Sequence, residues 1–119
     1  MVMKFLLVRT DNTCEILEIE QSKLFDTIQS IIKCEWIECV HLGSIILMVD
    51  ELGKLYETPK PINPGCSFIY PGTPYGDPIV GDVVIGEFGY VDGGPDIVGL
   101  SDKRIEFIID VMDLMLIVQ

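Results

Sequence analysis

An α+β fold, a small and mostly antiparallel sheet of about five strands with two helices, is what this 119-residue chain predicts. Three observations predict it. Two short apolar runs, 4–8 and 14–19, flank the turn pair Asp11-Asn12, the pattern of an antiparallel hairpin. Leu24, Phe25, Ile28, Ile31 and Ile32 recur at helical spacing and define a core-facing stripe. Two more apolar runs meet at Gly43-Ser44, and a long apolar segment closes the chain. At this length one domain, 1–119, is expected, with a single modest core.

The elements follow in order. After the hairpin, Ser22 is placed to cap a helix running to about Lys33. A third strand is expected from Trp36 to Leu42. Gly43-Ser44 makes a tight link to a fourth, Ile45 to Val49, which is apolar on both faces and so interior to the sheet. Asp50 to Gly53 reads as a turn in which Gly53 takes a positive φ. The composition then shifts. Six of the seven prolines lie between Pro59 and Pro78, and six of the ten aromatic residues lie between Tyr56 and Tyr90. A strand from Ile79 to Phe88 is expected, with Gly81 and Gly86 marking a bulge or a close backbone approach. Tyr90 to Gly99, containing Asp92-Gly93-Gly94-Pro95, reads as a turn-rich loop. Ser101 caps a last helix running to about Leu116.

That last helix is apolar on nearly every side. Glu106, Asp110 and Asp113 form one narrow polar stripe. A chain of 119 residues can hardly bury such a helix all round, so a homo-oligomer interface is expected through Ile105, Ile108, Ile109, Met112, Met115 and Leu116. The alternative is a helix laid across an open sheet.

Eight basic residues stand against nineteen acidic ones, a net charge of −11. Such a surface repels bare nucleic acid and anionic lipid, and it suits a basic protein partner or plain solubility. No segment has the layout of a secretion signal, and none approaches the roughly 20 apolar residues of a membrane span. A cytoplasmic location is therefore expected, with reduced thiols. Cys14, Cys34, Cys39 and Cys66 make no C-x-x-C pair, so no metal is expected and the thiols read as small apolar residues.

Chemistry is hard to find. His41, the one histidine, sits at a strand end with no triad spacing around it. The closest carboxylate pairs, Asp50-Glu51, Glu35 with Glu38, and Asp92 with Asp96, read as solvated turn or edge residues. No phosphate loop or dinucleotide fingerprint is present, and Lys103-Arg104 is the one adjacent basic pair. The expectation is a non-enzymatic binding protein with no cofactor and no direct nucleic-acid contact.

The run Trp36-Ile37-Glu38-Cys39-Val40, continued by Ile45 to Leu55 with its Asp50-Glu51-Leu52-Gly53-Lys54-Leu55, resembles the "YIE-V … -EEGKL" core of the small-protein family known as domain of unknown function 3846. The order of parts agrees: a hairpin and a helix before the core, a proline-containing segment from Thr58 to Pro64 after it, a later strand, and a closing "GLSDKRIEFI" similar to the family's Leu-Ser/Thr-Asp/Glu helix start. Where the family has a compact Pro-Pro-Asn, this chain interleaves Pro59, Pro61 and Pro64. The resemblance implies an origin in phages, prophages and mobile elements of bacteria, hence the cytoplasm of a bacterial host cell. It carries no catalytic residues.

Three readings of function follow. In the first, a counter-defence inhibitor occupies a basic surface of a host protein, using Asp50, Glu51, Lys54, Tyr56, Glu57, Tyr70, Tyr75, Tyr90, Asp92 and Asp96. Segments 54–78 and 89–99 would form one working surface, because long loops in compact domains tend to be functional. In the second, an oligomeric sponge stacks a nucleotide signal on Tyr70, Tyr75, Phe88 and Tyr90, with Lys54, Lys60 and Lys103-Arg104 converging on its phosphates. In the third, the chain is an assembly module without a ligand.

Overall fold

A computed structural model describes residues 1–69 and 78–118, with side chains as far as Leu114. Strands β1 (Val2–Val8) and β2 (Cys14–Glu20) form the expected antiparallel hairpin. Its turn rests on Asp11, whose Oδ1 accepts from Thr13 N at 3.0 Å and Thr13 Oγ1 at 2.6 Å, and on Asn12 at φ 72°. Gln21–Lys23 then makes one 3-10 turn before helix α1 (Leu24–Ile32). Ser22 lies inside that turn and caps nothing, which corrects the expected helix start. Leu24, Ile28 and Ile32 are buried, whereas Phe25, one step round the helix, is 47% exposed and leaves the expected stripe.

Strands β3 (Ile37–Leu42) and β4 (Ile45–Asp50) pair across Gly43, which takes φ 59° in the first position of a two-residue turn. A short helix α2 (Pro64–Ile69) follows, then β5 (Val83–Val91), β6 (Gly94–Val98) and α3 (Asp102–Val118). The strand expected from Ile79 starts later because Gly81, at φ 77°, turns the chain, and Val80 makes only a bridge to Ile62. The expected loop from Tyr90 to Gly99 is instead a hairpin. Asp92 at φ 51° and Gly93 at φ 81° are the two left-handed residues a type I′ turn requires. Ser101 does cap α3, its Oγ accepting from Arg104 N at 3.1 Å. Gly53 is not among the positive-φ residues. Its role is contact, since a Cβ there would lie 2.9 Å from Val80 Cγ2.

Among the described residues the strands form one antiparallel sheet in the order β2-β1-β5-β4-β3. β6 continues along β5 on the edge that β1 occupies farther back. Helix α1 covers one face through Leu24, Ile28 and Ile32 on Phe5, Leu7, Ile46, Met48 and Val84. Helix α3 covers the other through Ile105, Ile108 and Met112 on Leu6, Val8, Leu47, Val83 and Ile85. β4 is covered on both sides, which is why it reads as a continuous apolar run.

This packing answers the question raised by the apolar last helix. Ile105, Ile108 and Met112 are filled by the chain's own sheet, and Ile109 packs partly against the same core. Ile105, Ile108 and Met112 are thus buried within one copy of the chain, and the helix lies across the sheet. Met115 and Leu116 belong to the helix, with side chains outside the described set. Among the described side chains of α3, the exposed large apolar residues are Phe107 and Leu114.

Candidate binding surface

The proline-rich segment begins as a structural strap. Asp50, expected as a solvated turn acid, is only 5% exposed. Its Oδ2 lies 2.8 Å from Lys60 Nζ and accepts from Tyr56 Oη at 2.8 Å, and its Oδ1 accepts from Leu52 N at 3.0 Å. Lys60 Nζ also donates to Ile32 O at 2.8 Å and Lys33 O at 3.1 Å, the C-terminal carbonyls of α1. One ammonium group thus neutralises a buried carboxylate and caps a helix end whose dipole favours a cation. Burial pushes the Asp50 carboxyl upward, but hydrogen bonds from Lys60, Tyr56 and Leu52 N outweigh it, and the group ends below the ordinary aspartate range. The same bond, donated to a carboxylate, pushes the Tyr56 phenol up to about 12.

Three residues on, Asn63 is fully buried. Its Nδ2 donates to Val8 O at 2.9 Å and Gly81 O at 3.0 Å, and its Oδ1 accepts from Cys66 N at 3.0 Å. It is the N-cap of α2 with proline at the first helical position, and it ties the strap to the end of β1. Asp50, Tyr56 and Lys60 are therefore spoken for by the fold. A buried carboxylate whose charge is already met by Lys60 cannot also serve an external partner.

The expected single working surface does not form among the described residues. β4 and β5 are antiparallel, and Val84 pairs with Met48, two residues before Asp50. Asp92 lies eight residues farther along β5, roughly 26 Å at the usual strand rise. The cluster around Asp50 and the hairpin carrying Tyr90, Asp92 and Asp96 stand at opposite ends of the sheet. Tyr70 and Tyr75 lie outside the described residues.

At the hairpin end, Tyr90 is 71% exposed and meets Phe88 edge to face at a centroid distance of 5.9 Å. Asp92 serves the turn. Asp96 bonds its own strand, Oδ1 accepting from Ile97 N at 2.7 Å. At the other end, Glu38, Asp50, Glu51 and Lys54 line a cleft of about 70 Å³ with Val49 and Pro78–Val80. Glu38, Glu51 and Lys54 are exposed there, beside exposed Glu35 and Trp36, and Glu57 is exposed on the strap. Among the described residues this acidic rim brings two of the expected site residues, Glu51 and Lys54, together in water.

The basic residues do not converge as a phosphate site would need. Lys60 is committed to Asp50. Arg104 donates to Ser44 Oγ at 3.0 Å near Glu87, and Lys54 lies in the acidic cleft. The thiols of Cys14, Cys34 and Cys39 are shifted upward by burial, and Cys66 more strongly, so each is held as the thiol. His41 is exposed on β3. Among the described residues no group of three or more His, Cys, Asp or Glu side chains could hold a metal ion, and no helix is long and apolar enough to cross a membrane.

Sequence reasoning named Lys60 only as a phosphate ligand and missed its structural role, along with that of Asn63 and strand β6. Signals for two of them were present. Asn63-Pro64 has the order of an N-cap and a first helical residue, and Asp92-Gly93 between alternating residues is a hairpin signal. Nothing local marks Lys60, whose partners are 10 and 28 residues away.

No curated protein and no solved structure matches the chain. A family model described as Domain of unknown function (DUF3846) matches residues 3–113. With the hairpin, α1, the β3–β4 core and most of α3 inside that match, the chain belongs to the DUF3846 family.

Proposed function

We propose that the chain is a non-enzymatic binding protein whose acidic surface engages a basic surface on another protein. One observation carries this. Eight basic residues face nineteen acids, and among the described residues Lys4 pairs with Asp102, Arg9 with Glu15, Lys60 with Asp50 and Arg104 with Glu87, so cations are drawn into the chain's own carboxylates. What is left to face solvent is overwhelmingly negative, and such a field speeds and orients association with a cationic partner. The rim of Glu35, Glu38 and Glu51, with Trp36 as an exposed aromatic anchor, is the surface assigned to this task. A counter-defence inhibitor of a host protein, the role that a phage setting implies, would work in this way.

The test is native purification from a bacterial lysate, size exclusion with light scattering, and identification of what co-elutes. The expected result is a basic protein released by salt and lost on Glu38→Lys plus Glu51→Lys, with folding intact. Retention of the same partner by that double variant refutes the assignment of the rim.

A further inference from the structure

The sheet has three outer strands, and their outer edges are treated differently. Phe88 N donates to Ser44 O, so Glu87, Gly89 and Val91 are the residues of β5 that bond β6, and Pro95 and Ile97 of β6 turn their backbone outward. That edge is closed. Pro95 has no N–H, Ile97 N is met by Asp96 Oδ1 at 2.7 Å, and Ile97 O accepts from Gln21 Nε2 at 2.7 Å. The β2 edge carries Glu15, Glu18 and Glu20 along seven residues, with Glu15 already paired to Arg9 and Glu20 to the terminal amino group. The β3 edge carries one glutamate, Glu38, and among the described residues no side chain caps its outward backbone groups. Ile37-Glu38-Cys39-Val40-His41-Leu42 contains no proline or lysine, and among the described residues no strand or helix pairs with its outer side.

Glu51 N donates to Trp36 O at 2.9 Å, which sets the phase of the β3–β4 ladder. Ile37 and Asp50 form a non-hydrogen-bonded pair, and Glu38 exchanges bonds with Val49. The backbone N–H and C=O groups of Ile37, Cys39 and His41 therefore point away from β4.

We propose that the β3 edge is a strand-addition site for an extended, cationic segment of a partner protein. This rests on the acidic surface being a binding surface, and it names the form of partner. An added strand would bond Ile37, Cys39 and His41 through its backbone, and specificity would come from alternate side chains. On the α3 side those side chains lie beside Glu38, at the mouth of the cleft that Glu51 also lines. A lysine or arginine there meets carboxylates. On the α1 side they lie beside half-buried Ile37 and Cys39, which suit an apolar residue. Charge decides the occupant: a second copy brings another −11, whereas a cationic strand is attracted.

The experiment uses the full chain with acetyl-(Lys-Val)4-amide as probe, acetyl-(Glu-Val)4-amide as its charge-reversed control, and residue-resolved amide hydrogen exchange. The lysine peptide is expected to slow exchange at Ile37, Cys39 and His41 roughly tenfold or more while β2 amides stay unchanged, and the glutamate peptide to do nothing. Cys39→Pro removes one outward donor that β4 does not use, and it should abolish the protection. Glu38→Lys, which leaves the backbone untouched, should weaken it in a salt-dependent way. Binding of the lysine peptide without protection of these three amides overturns strand addition and leaves the acidic surface standing. Failure of both this peptide and polylysine to bind at low salt overturns both. Concentration-dependent protection without any peptide overturns the proposal in favour of a second copy.

Discussion

Asn63 is where a single truncation costs the fold most clearly. Replacing it with alanine removes three hydrogen bonds and leaves Val8 O, Gly81 O and Cys66 N facing a fully buried void. Each bond contributes about 1 kcal/mol net, and each orphaned buried group adds a desolvation cost of similar size. With partial relaxation the loss is about 3–5 kcal/mol. A chain of this length has a total stability of about 6–18 kcal/mol, so the fall is a large share of it. At about 4 °C per kcal/mol the midpoint should drop by roughly 12–20 °C. Urea unfolding followed by circular dichroism measures it. Asn63→Asp refines the test. It keeps the acceptor that caps α2 but sets a carboxylate against two carbonyl oxygens, so its folded pKa must rise. A raised pKa favours the protonated form in the fold, so this variant should gain stability as pH falls toward the ordinary aspartate range, opposite to wild type. A loss under about 1 kcal/mol for Asn63→Ala, with an unchanged denaturant slope, refutes the reasoning.

Four further outcomes are expected. Lys60→Met leaves Asp50 buried and uncompensated and should cost about 3–5 kcal/mol; adding Asp50→Asn should recover much of it, and additive losses in urea melts would refute the coupling. Because the Asp50 pKa is depressed, its stabilisation is complete above its unfolded value and disappears as pH falls through the folded one; Asp50→Asn should flatten that acid limb in a pH series of melts. The Tyr56 phenol, raised to about 12, should ionise well above the ordinary tyrosine range in an ultraviolet titration, with its step absent in Tyr56→Phe; its bond to Asp50 is intact below the ordinary tyrosine range and is lost as pH rises through about 12. Ser101→Ala should cost about 1 kcal/mol by uncapping α3, measured in the same melts.

The parts of the fold legible in sequence were those set by local signals. The β1–β2 turn, the Gly43 turn, the Ser101 cap and the interior position of β4 each follow from residues within a few positions of one another. The start of α1 was misread because Ser22 is a good cap by type, yet Gln21–Lys23 tightens into a 3-10 turn whose neighbour Gln21 is held by Ile97 O. The strap was misread for a related reason. Prolines and aromatics after Gly53 mark a segment of low chain entropy, and that property serves a buried strap as well as a binding loop. Only tertiary distance separates the two, through contacts such as Lys60 to Ile32.

The acidic residues make the same point about charge. Asp50, Asp92 and Asp96 look alike in sequence, but one neutralises a buried lysine, one holds a turn and one closes a strand edge. For Asp50 and Asp96 the carboxylate itself is used by the fold, and for Asp92 the backbone conformation is. Removing them from the account sharpens the functional argument, because the excess charge then falls on residues that the fold does not require. Glu38 is the informative case: exposed, on an unguarded edge, and at the mouth of the acidic cleft. A domain that closes β6 with Asp96, Gln21 and Pro95 and studs β2 with glutamate has the means to protect an edge. That β3 carries a single glutamate and, among the described residues, no cap on its outward backbone is what an edge kept open for a partner strand requires.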